Sequence, residues 1–469
     1  MSQAILRRPA ANAAEPSEMP PNRWEFLAAG LVLFLSLGLQ LLAVYRADAV
    51  GQDFKLHQTN MLIAAEKPFE YAFGAFGRTN PPLFYLVTGG LYRLFGPRGW
   101  IYAVGAFNSL QNFCALGCLY VLGVWLIPNP RMRVTMLALV AFLPAFQITS
   151  VVFAADAFCQ APFTLGLVFI AAGLLGKMPF KPAFVGFTLC VALSVSLKYT
   201  AISLIPGGVL IVALLCRQGR MPRRNTLAAV AAFILSTSVV GGYWVFQNTK
   251  NVSMHFSADM GPALVGRNQM NLRSLLFFRS GDRLLLKAPN LWELALADSK
   301  KHFALVRANY FSYPGLLAYS TFTDSMKIFQ SKPRGEDFGT LTEAKVLVSR
   351  ISCILGFGWL SATAVLVVIS FLQSVRVGWD QRHPYDTAVL CLLLFALAWH
   401  AFILTLLPTV KYATVFGYWL PRLILPSLMV YALAAFRTLA VAGRGRTAWE
   451  PVVIALVVVQ CCLHAVILV

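Results

Sequence analysis

From Phe26 to Tyr45 the chain runs for twenty residues without a charged side chain, and stretches of this kind recur to its end. A helix needs about 20 predominantly apolar residues to cross a hydrocarbon core. Eleven segments meet that need: 26–45, 100–126, 134–153, 157–176, 182–197, 199–216, 226–246, 346–373, 386–408, 414–436 and 449–468. The expected fold is therefore an all-α polytopic membrane protein of about 11 (10–13) transmembrane helices. Hydrophobic residues make up 58% of the 469 and charged residues 12%, against roughly 25% charged in soluble domains, so a soluble globular protein is excluded.

The formal net charge is +20, which in a soluble chain would suggest nucleic acid. Here position matters more than the total. Arg7, Arg8 and Arg23 precede the first segment. Alternate short loops then carry Arg131 and Arg133; Lys177 and Lys181; Arg217, Arg220, Arg223 and Arg224; Arg376 and Arg382; and Arg437, Arg444 and Arg446. The opposite short turns carry only Lys198 and Lys411. Such an asymmetry places the N-terminus in the cytoplasm, and no nucleic-acid partner is expected. It also requires 81–95 to be a helix lying in the outer interface, anchored by Tyr92 and Arg93, not a span; a short tilted span is the alternative.

The nine cysteines fall in or at the ends of the apolar segments without metal-ligand spacing, and read as free thiols. The first segment lacks a small-residue cleavage site and reads as a retained anchor. Residues 1–22 read as a disordered cytoplasmic tail. Two outer segments interrupt the lipid pattern, 46–99 and 247–345, and long outer loops of this kind carry function more often than spans. The second is net basic, which suits an anionic ligand such as a phosphate. Its aromatic runs, Tyr310–Pro314 and Tyr319–Asp324, are candidates for stacking on sugar faces or for interface anchoring, and Asp324 is a candidate for a catalytic or acceptor-binding role.

Three ionisable residues share the outer level. Asp53 follows the first span, Asp156 lies at the turn between the third and fourth, and Lys198 lies between the fifth and sixth. Two carboxylates and a cation at one interface form a plausible site for activating a hydroxyl and holding a phosphate leaving group. Each also has a plainer reading: Asp156 as a helix cap, Lys198 as a headgroup anchor.

The run Asp53-Phe54-x-x-His57, then Thr79-Asn80-Pro81-Pro82-Leu83-Phe84-Tyr85, resembles the first outer loop of the GT-C membrane glycosyltransferases. The branch is the protein O-mannosyltransferase and aminoarabinose transferase-like group (glycosyltransferase family 39/83-like). Leu143-Pro144 followed by Asp156, Leu197-Lys198-Tyr199-Thr200 and Tyr418-Trp419-Leu420-Pro421-Arg422 continue the resemblance in order. Two positions depart from it. Phe54 stands where the family often has a second acid, and Asn80 where it often has His or Glu. Glu66 and Glu70 are candidates for the missing carboxylate.

The resemblance implies an inverting transfer of a sugar from a polyprenyl-phosphate donor to a glycan, lipid or protein acceptor on the outer face of a bacterial inner membrane. Asp53 would be the general base, with Asp156 as the second catalytic carboxylate, orienting the acceptor or completing the base pair. Lys198, Tyr199 and Arg422 would hold the donor phosphate. His57, Glu66, Asn80, Tyr85 and Asp324 are candidates for substrate binding. No cofactor is fixed by the resemblance, and a divalent cation, Mg2+ or Mn2+, is compatible with it. The implied organisation is a tail at 1–22, a catalytic module at 23–246 containing the outer loop 46–99, a periplasmic domain at 247–345 and C-terminal helices at 346–469. Rival classes are a flippase for lipid-linked sugars, which would need repeated halves and a mid-membrane charge, and a non-glycosyl envelope transferase built around His400. An interhelical hydrogen bond is the simpler role for His400.

Overall fold

The computed structural model describes residues 20–46, 54–73, 82–198, 201, 204–217, 227–238, 273–274, 277, 279–285, 312–323, 343–377, 384–409, 420–442 and 449–468. Their regular elements are helices throughout, and the chain is an all-α polytopic membrane protein. Seven of these helices are long and apolar enough to cross a membrane: α1 (Arg23–Arg46), α4 (Pro82–Leu126), α9 (Phe180–Leu197), α14 (Glu343–Val377), α15 (Pro384–Thr409), α16 (Leu420–Ala442) and α17 (Glu450–Leu468). Three shorter apolar helices join them, α8 (Gln160–Leu174), α10 (Leu204–Arg217) and α11 (Leu227–Ser238). The 15 residues of α8 reach about 22 Å at 1.5 Å per residue, less than a full crossing.

One expected span needs correction. The segment 134–153 is not one span. Helix α5 (Pro130–Ala141) stops at Phe142, α6 (Pro144–Ile148) covers one turn and a half, and the chain then runs irregularly to α7 (Ala155–Phe158). Pro144 supplies the reason: it has no N–H for the ladder and it pushes Leu143 out of the helical region, to φ −57° and ψ 127°. The expectation of a helix at 81–95 separate from 100–126 agrees with the structure, where the helical stretch 82–126 is interrupted by non-helical backbone at Gly96. Gly96 has φ +70°, a left-handed value that glycine tolerates, and Pro97 follows. The kink marks the join between the two expected helices.

The irregular stretch is buried, and a buried backbone needs partners. Asn108, on α4, donates through Nδ2 to the carbonyls of Ser150 (3.3 Å) and Val152 (3.1 Å). The main core joins α5, α8, α15 and α16, while α14 leaves Leu347, Ile354, Val365 and Leu372 exposed along its length.

At the end of the bundle assigned by sequence to the inner face, charges are paired. Arg133 reaches Glu25 at 3.2 Å with both side chains buried, and Tyr120 donates to the same carboxylate. Arg437 meets Asp386 at 2.8 Å. Asn129 caps α5 and donates to Glu450 at 2.8 Å. Arg133 and Arg437, read from sequence as loop charges that report orientation, are thus tertiary contacts as well.

The segment 247–345, read from sequence as outer, packs into the bundle through α13 (Tyr313–Phe322). Tyr313, Tyr319 and Phe322 are buried against the bundle, which corrects their reading as sugar-stacking or interface aromatics. The Ser312 side chain caps this helix by accepting from Gly315 N–H, and the Asp282 carboxylate accepts from Ser312 N–H at 2.8 Å. Tyr313 and Tyr431 hydroxyls bracket His400, at 2.5 Å from Nε2 and 3.0 Å from Nδ1. This is the interhelical hydrogen bonding expected of His400.

Candidate functional site

The helix following Asp53, α2 (Phe54–Glu66), turns His57, Asn60, Met61 and Ala64 to one buried face at helical spacing. That face lies on the first half of α4, and Gly89 makes the contact possible. A Cβ there would stand 2.9 Å from the Ala65 nitrogen and 3.1 Å from the Met61 carbonyl oxygen.

With the helices this close, His57 Nδ1 lies 2.7 Å from the Tyr85 hydroxyl. The imidazole is 5% exposed and is bracketed by Phe84 and Phe153 at centroid distances of 5.8 and 5.9 Å. Tyr71, on α3 (Pro68–Phe73), stands edge-on to Tyr85 and donates to Asn60 Oδ1 at 3.0 Å. Asn60 and Tyr71 were not singled out by the sequence motifs. The signal for Asn60 was its place one helical turn after His57.

The same apolar cluster contains Ala155, Phe158 and Leu197. Ala155 directly precedes Asp156 and Leu197 directly precedes Lys198. The cluster therefore joins His57 and Tyr85 to the chain segments that carry the second candidate carboxylate and the candidate cation. Its walls are aromatic: Phe84 meets Phe158 at 4.9 Å, and Trp100 meets Phe153 at 5.2 Å. Asp156 lies in α7. Lys198 ends α9 with extended backbone, its N–H donating to the Ser194 carbonyl at 2.9 Å, and its side chain is partly exposed.

The remaining candidates are not gathered there. Glu66 is exposed on the face of α2 opposite His57, and its carbonyl accepts from Arg93 at 3.1 Å. Glu70 is exposed and pairs with Lys67 at 3.1 Å. Arg422 lies in the first turn of α16. Asp53, Asn80, Tyr199 and Asp324 lie outside the described residues. Among the described residues, no three His, Cys, Asp or Glu side chains come together in a way that could hold a metal ion.

The chain matches no protein family model and no curated protein. Solved structures do resemble it. It is similar to ArnT from Cupriavidus metallidurans. In the apo state the identity is 16% and the TM-score 0.38, over 87% of this chain and 76% of that one. In the state bound to undecaprenyl phosphate the identity is 16% and the TM-score 0.36, over 88% and 77%. It is also similar to the Archaeoglobus fulgidus oligosaccharyltransferase in the apo form, at 12% identity and TM-score 0.48, over 94% of this chain and 56% of that one. Values at this level assign neither an activity nor a substrate.

Proposed function

We propose that the chain is a GT-C-type integral membrane glycosyltransferase that moves a sugar from a polyprenyl-phosphate donor to a cell-envelope glycan, lipid or protein acceptor. The reading rests on one observation above others. The His57–Tyr85 pair shares an apolar cluster with the immediate neighbours of Asp156 and Lys198. Residues far apart in sequence, chosen for their chemistry and their common membrane level, belong to segments that pack together.

In this reading Asp53, four residues before His57, takes the proton from the acceptor hydroxyl. The oxygen attacks the anomeric carbon with inversion, the carbon–oxygen bond to the phosphate breaks, and the lipid phosphate leaves with that electron pair. Lys198, with Tyr199 and Arg422, neutralises the departing phosphate, which needs no proton to leave once its charge is balanced. Asp156 orients the acceptor. His57 and Tyr85, both buried, hold α2 to α4 behind the site and so position the chain that carries Asp53. The site faces the outer side of a bacterial inner membrane, with the N-terminus in the cytoplasm, residues 23–246 as the catalytic module, 247–345 as the outer domain and 346–469 as the closing helices. No step is routed through a metal ion.

The test is transfer from a panel of radiolabelled polyprenyl-phosphate sugars to isolated envelope acceptors by the purified protein, with undecaprenyl phosphate as the first carrier lipid. A general base contributes about 10²–10⁴-fold. Asp53→Asn should lower turnover by that order, and Asp156→Asn should lower it also. Absence of transfer with every donor, together with movement of lipid-linked sugar across proteoliposomes by both variants, would replace this reading with a flippase.

A further inference from the structure

Where α5 breaks, a polar network lies inside the bundle. Asn108 and Asn112 are one turn apart on α4, Ser36 and Gln40 one turn apart on α1, and Gln147 and Thr149 lie on the irregular segment. Each of the six is 1% exposed or less. Asn112 Nδ2 donates to Gln40 Oε1 (3.0 Å) and to Thr149 Oγ1 (2.9 Å). Gln147 Nε2 donates to Ser36 Oγ (2.8 Å) and to the Ala141 carbonyl (2.5 Å). Asn108 Nδ2 donates to the carbonyls of Ser150 and Val152.

The amides of Asn108, Asn112 and Gln147 thus use both hydrogens, and the fourth, Gln40, donates from Nε2 to Ser36 Oγ at 3.4 Å. Turning Asn108 or Gln147 over would set an amide oxygen against a carbonyl oxygen, so their orientation follows from their partners. The hydroxyls are committed as well, Ser36 to the Ala141 carbonyl, Thr149 to Phe146 and Ser150 to Gln147. Three acceptors are left over. Asn108 Oδ1, Asn112 Oδ1 and Gln147 Oε1 are buried acceptors with no donor among the described residues. The carbonyl end of α5 points into the same network, at Ala141, and adds the negative end of a helix dipole. Asn108 and Ser150 also line a small cavity of about 10 Å³ with Val44, Trp100, Val104 and Phe153, room for about one water-sized guest.

We propose that this network binds a small electropositive guest, either a sodium-sized monovalent cation or the hydrogens of trapped water. Buried acceptors without donors are costly. Oxygen ligands at the carbonyl end of a broken helix are the arrangement by which membrane proteins hold monovalent cations, and buried water serves the same acceptors where no ion binds. The guest would tie the 142–154 segment to α1 and α4, and with it the chain leading to Asp156. The inference stands whether or not the chain transfers sugars.

The experiment is thermal unfolding of the purified full-length protein in NaCl, KCl and choline chloride at equal ionic strength, beside a map in which ordered water is visible. A saturable rise of the midpoint in NaCl over choline, lost in Gln147→Met, identifies a cation. An identical midpoint in all three salts, with water density within hydrogen-bond distance of Asn108 Oδ1, Asn112 Oδ1 and Gln147 Oε1, identifies water. An identical midpoint together with a map placing protein or lipid donors on those three oxygens overturns the proposal. The map is of the unsubstituted protein, so the test survives a Gln147→Met variant that fails to fold.

Discussion

The His57 imidazole and the Tyr85 hydroxyl, 28 residues apart in sequence, meet at 2.7 Å inside an aromatic cluster. Tyr85→Phe removes one oxygen and leaves the buried His57 nitrogen without that partner, at a cost of about 1–3 kcal/mol. The expected result is a lower melting midpoint and, if His57 serves the proposed transfer, a fall in turnover of about tenfold for each 1.4 kcal/mol lost at the transition state. Melting curves and transfer assays on the same preparation separate the two effects. Unchanged turnover would confine the pair to a structural role.

Gly89 sets the approach of α2 to α4, whereas a Cβ at neighbouring Gly90 would meet nothing within 4 Å. Gly89→Ala presses on the α2 backbone, which cannot rotate away as a side chain can. It should cost about 1–3 kcal/mol and part His57 from Tyr85, while Gly90→Ala should leave stability and activity near the wild-type level. Comparison of the two alanine variants by melting and by transfer checks this. Equal effects would show that close approach at Gly89 does not govern the pair.

Glu25 and Arg133 form a buried ion pair linking α1 to α5. Glu25→Gln alone leaves a buried guanidinium without its counter-charge and should cost about 3–5 kcal/mol, whereas Glu25→Leu combined with Arg133→Met should cost much less. Denaturant melts of the single, the opposite single and the double variant measure the coupling directly. A double variant as unstable as the sum of its singles would refute it.

The two tyrosines flanking His400 hold α13 to the bundle. A neutral imidazole donates from one nitrogen and accepts at the other, so the two hydroxyls have opposite roles. Burial, reinforced by the neighbouring Tyr431, holds the Tyr313 phenol well above its ordinary range. It therefore stays protonated, and its bond to His400 should be insensitive to alkaline pH. Tyr313→Phe and Tyr431→Phe should each destabilise by about 1–3 kcal/mol and be non-additive when combined. Limited proteolysis of the outer segment should speed up in each single variant. An additive pair would mean that the hydroxyls do not act through one ring.

Much of the membrane architecture was legible, because hydropathy over about 20 residues depends on local composition alone. The break at Pro144 was hidden for the same reason, since residues 134–153 are apolar enough for a continuous span and the polar partners of the irregular backbone come from α1 and α4. Arg133 shows the limit of charge counting: its loop position agreed with an inner-face residue, but its partner, Glu25, lies 108 residues away. For the site, the residue types at His57 and Tyr85 were legible and their contact was not. Asn60 and Tyr71 could be found only through packing, because no motif marks them. Tyr313 and Tyr319 misled because aromatics in an outer segment suggest a ligand surface, and only their burial distinguishes a tether.

Helix α14 has 35 residues, about 52 Å at 1.5 Å per residue, where a hydrocarbon core is about 30 Å thick. An unkinked rod of that length has to lean or protrude, and each ångström of hydrophobic mismatch carries a cost shared with the surrounding lipid. Its exposed apolar stripe is left to the lipid while its other side packs on α13, α15, α16 and α17, so these neighbours set its tilt. A thinner bilayer could incline α14 further only by straining its contacts with those four helices, so membrane thickness would be felt inside the bundle.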